Sequence, residues 1–283
     1  MKKVIGIIGL GIIGGSLAAS TKQKTAHTVL GFDTDANTMR AALGSGAIDA
    51  ELTRDRYREC DIVIIALYPA AAVKVLQNIA PDLHRGSVVV DCCGIKREIC
   101  NLGAALSEKY GFSFVGGHPM AGRESWGFQA ATAQLFDGAS MIITPREGED
   151  EALVSRVGNF FLEIGFGKIT RVTADDHDRI IACTSQLAHV LSSAYIRSET
   201  AAEHEGLSAG SFKDMTRVAA LNDVMWSEIF LMNKDNLLSE IDGLIKHLSE
   251  YRDAIADDER EKLKEMMRDS THKRALYFHN KMI

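Results

Sequence analysis

The first part of the chain alternates short hydrophobic runs, rich in Val and Ile, with longer stretches of mixed polarity. Runs of this length and composition are typical of buried strands, and the stretches between them are long enough for crossover helices. The pattern therefore predicts βαβ units and a mostly parallel sheet. The predicted strands are Val4–Ile8, Thr28–Phe32, Ile62–Leu67, Val88–Val90, Phe114–Val115, Met141–Thr144 and Ile169–Val172.

The second part of the chain has the hydrophobic spacing of helices. From Asp178 onward, apolar residues recur at intervals of three and four, which places them on one helix face. Of the 24 glycines, 21 lie within residues 1–172, and all four prolines precede residue 146, so helix breakers are rare beyond this point. We predict an α/β domain over residues 1–172 and an all-helical domain over residues 173–283, with Thr173 as the first helix cap.

Composition and charge narrow the class of protein. The 283 residues suggest about two domains, and 38 Asp and Glu against 32 Lys and Arg give a net charge of −6, which disfavours a nucleic-acid partner. The five cysteines form no CxxC pair, so we expect reduced thiols, no metal site and a cytoplasmic location. The uncharged stretch Val4–Thr21 imitates a signal peptide, but five glycines interrupt it. No other stretch approaches the ~20 apolar residues of a membrane span.

A glycine-rich turn follows the first predicted strand and opens a helix-like segment. Gly9, Gly11 and Gly14 have the spacing of a dinucleotide-binding turn, where glycines allow a tight turn, approach of the pyrophosphate and close helix packing. Asp33 ends the second predicted strand, where a carboxylate binds ribose hydroxyls and repels a 2′-phosphate, so NAD is favoured; Arg40 leaves NADP open. The alternative is a packing cluster of glycines with a surface Asp. We predict a Rossmann-type, doubly wound domain that binds NAD through Gly9, Leu10, Gly11, Ile12, Ile13, Gly14 and Asp33.

A histidine flanked by glycines and a proline follows the predicted strand Phe114–Val115. Ligands of doubly wound sheets bind beyond the carboxyl ends of the strands, so His118 is placed in a loop suited to proton chemistry. Lys96 lies in a neighbouring loop at the same edge, after the predicted strand Val88–Val90. It is a candidate contact for an anionic substrate, and a solvated side chain is the alternative.

Four segments, in this order along the chain, carry a resemblance to a known family: Gly9–Leu17, His118–Gly122, Thr184–His189 and Phe212–Arg217. Together they resemble the prephenate/arogenate dehydrogenases of tyrosine biosynthesis, and the resemblance covers nearly the whole chain. The nucleotide fingerprint is common to many dehydrogenases, but its combination with the other three segments is specific. The resemblance implies that the all-helical C-terminal domain forms a homodimer.

The same resemblance assigns roles to individual residues. His118 matches the family's catalytic histidine, a general base. Arg217 matches an arginine that binds a substrate carboxylate; a surface salt bridge with Asp214 is the alternative. His189 matches a position that lines the substrate site, with a buried core histidine as the alternative. The matching substrate-site positions are Arg217, His189, Ser185 and Glu124, to which Lys96 is added from its loop.

Two positions depart from the family pattern. Many relatives have a serine where Gly94 stands, which contacts the catalytic imidazole or the substrate hydroxyl, and many have a histidine where Gln186 stands. These departures leave the orientation of His118 and the substrate preference open. His177 also has a family counterpart, for which we expect a structural role, and Trp226 is expected to pack in the dimer core.

The expected function is NAD-dependent oxidative decarboxylation of prephenate to 4-hydroxyphenylpyruvate. An arogenate dehydrogenase that uses NAD or NADP and gives tyrosine directly is the first alternative. A non-catalytic nucleotide-sensing module would use the same turn without needing His118 or Arg217. A hydroxyacid dehydrogenase or reductoisomerase would need a catalytic lysine or clustered carboxylates for magnesium, and we find no convincing carboxylate set.

Overall fold

The computed structural model describes residues 2–123 and 125–278. By its internal contacts the chain divides into two compact units, residues 1–233 and 234–283. The helices up to residue 232 thus belong to the same compact unit as the sheet. The sequence-based boundary between residues 172 and 173 stays a prediction about domains.

An eight-stranded sheet forms the centre of the first unit, in the order β3-β2-β1-β4-β5-β6-β7-β8. All neighbouring strands are parallel except β6 and β7, which are antiparallel. This confirms the predicted doubly wound, mostly parallel sheet. The strands are β1 Val4–Ile8, β2 Thr28–Phe32, β3 Ala50–Glu51, β4 Ile62–Ile65, β5 Val88–Asp91, β6 Ser113–Pro119, β7 Ser140–Thr144 and β8 Lys168–Arg171.

Helices cover the sheet and account for most of the described residues beyond Thr173, whose hydroxyl accepts the N–H of Asp176 and caps α6 as predicted. A π-helical turn, Ala182–Gln186, separates α6 from α7. The helices are α1 Ile12–Lys24, α2 Ala36–Gly44, α3 Pro69–Ile79, α4 Arg97–Tyr110, α5 Glu151–Glu163, α6 Ala174–Ile181, α7 Leu187–Tyr195, α8 Gly210–Thr216, α9 Asp223–Met232, α10 Lys234–Ala256 and α11 Arg260–Phe278.

Both faces of the sheet are buried, which explains why its central strands are continuously apolar. Side chains alternate along β4: Ile62 and Ile64 belong to the apolar cluster on one face, and Val63 and Ile65 to the cluster on the other. Because β1, β4 and β5 are parallel neighbours, their carboxyl ends lie at the same edge of the sheet. This edge carries the glycine turn.

Strand β6 changes partner along its length. Residues 113–115 pair in parallel with β5, and residues 116–119 pair antiparallel with β7. A Cβ on Gly117 would lie 2.5 Å from the carbonyl oxygen of Asp91, so glycine is needed for this close passage. The expectation that His118 lies in a loop is wrong, because pairing with β7 extends the strand through Pro119.

The second unit contains α10 and α11. Asp258, with φ of 54°, turns the chain between them. Four apolar side chains of α10 are at least half exposed: Leu238, Ile245, Leu248 and Ile255. Among the described residues, no helix is both long enough and apolar enough to span a membrane.

Candidate active site

The glycine turn between β1 and α1 has the geometry that a bound dinucleotide requires. Gly9 has φ of +88°, a conformation that side chains disfavour, and a Cβ there would collide with the carbonyl of Ala66. A Cβ on Gly14 would collide with the carbonyl of Gly9, so this glycine permits close packing of α1 on the turn. A Cβ on Gly11 would meet no atom within 4 Å. The space beside Gly11 thus fits a pyrophosphate at the N-terminus of α1.

Asp33 is fixed next to this turn. It follows β2, and its carboxylate accepts the N–H of Leu10 at 2.8 Å and the N–H of Asp35 at 2.9 Å. The side chain of Leu10 is fully buried, so this residue borders the site through its backbone, and the partly buried Ile12 and Ile13 begin α1. The residues named for NAD therefore lie together and fit a dinucleotide.

His118 is hydrogen-bonded to a second histidine. Its Nδ1 lies 2.9 Å from Nε2 of His177, and Nδ1 of His177 lies 2.7 Å from Oδ1 of Asp178. His177 and Asp178 begin the buried side of α6, and each is only 1% exposed. Analysis of the sequence missed this series of hydrogen bonds, since His177 was expected to be structural. The acidic N-terminal turn of α6 gave no signal for a contact 59 residues away.

The other nitrogen of the His118 ring faces position 94. A Cβ built on Gly94 would lie 3.9 Å from Nε2 of His118 and 3.7 Å from Cδ1 of Ile229. Burial lowers the pKa of His118 well below its ordinary value, and electrostatic interactions with His177 and with the charge of Lys96 lower it further. The imidazole is therefore neutral at physiological pH, as a general base must be.

Lys96 is fully buried, so the expectation of a solvated side chain is wrong, and its contact with substrate stays a prediction. Its ammonium group pairs with the equally buried carboxylate of Asp91 and donates to the carbonyl of Gly117 at 2.7 Å. Asp91 in turn accepts the N–H of Gly117 at 3.1 Å. The ion pair thus holds both backbone groups of the residue before His118, because a buried charge requires its counter-charge and donors.

A second group of candidate residues lies on the π-helical turn and on α7. Nδ1 of His189 is 2.8 Å from the carbonyl oxygen of Ser185, and the imidazole packs against Trp226, with 3.9 Å between ring centroids and the two ring planes tilted by 32°. His189 and Ser185 are only partly buried, so the buried-core alternative for His189 is wrong. Trp226 is one helical turn from Ile229, which approaches Gly94. Helix α9 therefore connects this group to His118.

Three further positions were singled out from the sequence. Arg217 is exposed and directly follows α8. Gln186 is buried, and its Oε1 accepts from Asn233 at 2.8 Å. Glu124 lies outside the described residues. The structure thus brings His118, Lys96 and Gly94 together, and leaves the placement of Arg217 and Glu124 toward them as a prediction.

A mostly parallel sheet, a dinucleotide turn at its carboxyl edge and a neutral histidine in the last residues of β6 define a nucleotide-dependent dehydrogenase. Residues 17–170 match the family model "Prephenate dehydrogenase, nucleotide-binding domain", and residues 173–269 match "Prephenate dehydrogenase, dimerization domain". The chain belongs to the prephenate dehydrogenase family.

Similar proteins agree with this assignment. The chain is 33% identical to the prephenate dehydrogenase of Lactococcus lactis over 88% of this chain and 70% of the relative. It is 31% identical to the cyclohexadienyl dehydrogenase of Zymomonas mobilis over 95% and 94%. The structure of A. aeolicus prephenate dehydrogenase in complex with hydroxyphenyl propionate and NAD+ superposes with a TM-score of 0.81, at 26% identity, over 98% of this chain and 99% of that one.

Proposed function

We propose that the protein is an NAD-dependent prephenate dehydrogenase that oxidises and decarboxylates prephenate to 4-hydroxyphenylpyruvate. The observation that carries this proposal is His118, a neutral imidazole in the last residues of β6 whose Nε2 lies beside Gly94. Membership of the family supports the choice of substrate.

The reaction needs a group that holds a proton at one ring oxygen. In our proposal Nε2 of His118 accepts the proton of the ring hydroxyl while the hydrogen on the same carbon leaves as hydride. The bond from the ring to its carboxylate then breaks, its electron pair makes the ring aromatic, carbon dioxide departs, and the oxygen regains the proton. A bound nicotinamide supplies the hydride acceptor. A positioned base of this kind contributes about 10²–10⁴ in rate.

The substrate's carboxylates require a cation, and we assign this role to Arg217. A guanidinium stays charged at any working pH and binds a carboxylate through two parallel hydrogen bonds. Its exposed position after α8 is accessible to a ligand. We place Ser185 and His189 beside the substrate because they are partly exposed on the turn that α9 connects to His118. For Glu124 we keep the position at the substrate site that the resemblance implies.

NAD is the proposed cofactor rather than NADP. The carboxylate of Asp33 is held beside the glycine turn by the N–H of Leu10, where it would meet ribose hydroxyls and repel a 2′-phosphate. Arogenate is the second candidate substrate, favoured by the similarity to a cyclohexadienyl dehydrogenase over nearly the full length of both chains.

We also propose a homodimer formed through the helical C-terminal domain. Exposed Leu238, Ile245, Leu248 and Ile255 follow a spacing of three and seven along α10, and such a stripe is suited to another helix. The family's name for this domain supports a second copy as the occupant. Sedimentation equilibrium at micromolar concentration tests the proposal, and a monomer would refute it.

The activity is tested by following reduced nicotinamide with purified protein, prephenate or arogenate, and NAD+ or NADP+. We expect the highest kcat/KM with prephenate and NAD+. Higher turnover of arogenate would replace the first candidate with the second, and absence of turnover in all four mixtures would refute both. His118→Asn should bind substrate with normal affinity and lose most of kcat, whereas His272→Asn, at an exposed histidine on α11, is the matched control and should keep the activity of the unmodified protein.

A further inference from the structure

The hydrogen-bonded chain from His118 to His177 and Asp178 has a direction, because one end of it is fixed. Each imidazole carries a proton on one nitrogen when neutral, so each contact in the chain has one donor and one acceptor. Two arrangements are possible: either every proton points toward Asp178, or every proton points away from it. The acceptor character of Asp178 decides between them.

Asp178 is surrounded by donors. Its Oδ1 accepts the N–H of Lys96 at 2.8 Å, its Oδ2 accepts the N–H of Arg97 at 2.9 Å, and Nε of Arg97 lies 3.4 Å from Oδ2. The two backbone groups begin α4, whose dipole favours a negative charge at this end. Asp178 is therefore a carboxylate, which accepts hydrogen bonds and donates none.

The proton positions on the two histidine rings follow one after the other from this carboxylate. Because Asp178 accepts, Nδ1 of His177 carries the proton and Nε2 of His177 has the lone pair. Because Nε2 of His177 then accepts, Nδ1 of His118 carries the proton. The lone pair of His118 is left on Nε2, the nitrogen that lies beside Gly94.

We propose that His177 and Asp178 are positioning residues that hold His118 in the tautomer with a basic Nε2. The inference rests on the proposed function, in which that nitrogen takes the substrate proton. When His118 becomes cationic, its Nδ1 proton stays bonded to His177, and the negative charge of Asp178 stabilises the ring through it. Three further charged groups face this chain, Asp91, Lys96 and Arg97, and Asp91 and Lys96 neutralise each other.

Asp178→Asn tests the donor-to-acceptor direction of the two hydrogen bonds that join His118, His177 and Asp178. An amide N–H₂ at this position can donate to Nδ1 of His177, which reverses both hydrogen bonds and puts the proton of His118 on Nε2. We expect kcat to fall by about 10²–10⁴, the contribution of a general base, while KM changes little. The matched control is Asp175→Asn on the exposed side of the same helix, which should retain the activity of the unmodified protein.

His177→Gln and His177→Leu separate positioning from packing. The Oε1 of glutamine can occupy the place of Nε2 and accept from His118, whereas leucine cannot accept. We expect the glutamine variant to retain at least about ten times the kcat of the leucine variant. A general base contributes about 10²–10⁴ in rate, and part of that contribution is lost when the base is wrongly oriented. Equal kcat for the two variants would overturn the proposal, since a purely structural role would treat them alike.

The tautomer can be read without any turnover. In protein with ¹⁵N-labelled histidine, the nitrogen that has a lone pair resonates far from the one that carries a proton, and the His118→Asn spectrum assigns the signals. We expect Nδ1 of His118 to be protonated in the unmodified protein and Nε2 in Asp178→Asn. A proton on Nε2 in the unmodified protein would overturn the inference even if the enzyme is active. If no substrate turns over, the proposed function fails and this spectrum still decides the tautomer.

Discussion

Replacing Lys96 with methionine should destabilise the fold far more than replacing a lysine at the surface. Methionine keeps the length and the apolar stem of the side chain but removes the charge that neutralises Asp91. Both members of this pair are 0% exposed. The carboxylate of Asp91 would keep only the N–H groups of Cys93 and Gly117, and the carbonyl of Gly117 would lose its donor.

The size of the effect follows from this burial. Breaking a buried ion pair by removing one partner costs about 3–5 kcal/mol, because the remaining charge has lost its compensation. Burial opposes the charged form of Lys96, but the charge of Asp91, the hydrogen bond to it and the nearby Cys93 and Cys100 together outweigh burial and raise the pKa of Lys96, so the pair is formed at neutral pH. At roughly 2–4 °C per kcal/mol for a chain of this size, the melting temperature should fall by about 6–20 °C.

Urea unfolding followed by circular dichroism measures this difference. The control is Lys22→Met, which removes a pair with Asp49 at 2.6 Å whose members are 30% and 38% exposed, and it should cost at most about 1 kcal/mol. A second substitution, Asp91→Asn, removes the uncompensated charge, and together with Lys96→Met it should recover at least about 1 kcal/mol of the loss. If Lys96→Met costs no more than Lys22→Met, the buried pair does not hold the strand as argued.

The remaining predictions concern pH, cofactor and substrate. Burial lowers the pKa of both His118 and His177, so the folded protein binds fewer protons than the unfolded chain below pH ~6.5. The free energy of unfolding should therefore decrease as pH falls below this value, by up to about 2.7 kcal/mol per pH unit for the two groups. The activity should behave differently, because kcat/KM should keep its plateau below pH ~6.5. A loss of kcat/KM at the ordinary histidine pKa would contradict the neutral state assigned to His118. Asp33→Ser removes the repulsion of a 2′-phosphate and should raise the ratio of kcat/KM for NADP+ over NAD+ by at least about tenfold, while an unchanged ratio would place the ribose elsewhere. Arg217→Ala should raise KM by about 10–100-fold, the equivalent of one charge-assisted hydrogen bond, with kcat less affected; the exposed Arg197→Ala is its control. Gly94→Ser has room for its Cβ and should melt near the unmodified protein, and a hydroxyl donating to Nε2 should move the acidic limb of kcat/KM to lower pH.

The sheet and the glycine turn could be predicted from the sequence because both depend on local chemistry. Strands β1 and β2 have the predicted bounds, because each is a short apolar run that ends where the residue type changes, at Lys3 and Gly9 and at His27 and Asp33. Gly9 adopts a positive φ that few other residues tolerate, so its spacing from Gly11 and Gly14 is informative by itself. The two-residue strand β3 was missed because so short a segment has no period.

The site depends on contacts between distant segments, and here prediction from the sequence was incomplete. His118 lies in a strand because β7 pairs with it, and nothing in the residues 116–119 requires that partner. Lys96 is buried because Asp91 ends the preceding strand and Gly117 passes beside both, a coincidence of three segments. A lysine between a glycine-rich loop and a helix gives the same local signal whether it is solvated or buried.

The glycine at position 94 is best understood together with the two residues behind His118. A serine at this position would contact the His118 ring on its Nε2 side, the side that accepts the substrate proton in the proposed mechanism. In this chain the ring is fixed instead through Nδ1, by His177 and by a carboxylate that is anchored on the N-terminus of α4. Because orientation and tautomer are set from that side, Nε2 needs no protein partner. The glycine at position 94 therefore leaves Nε2 of His118 able to accept a proton in the proposed mechanism, and the substrate supplies the partner of this nitrogen.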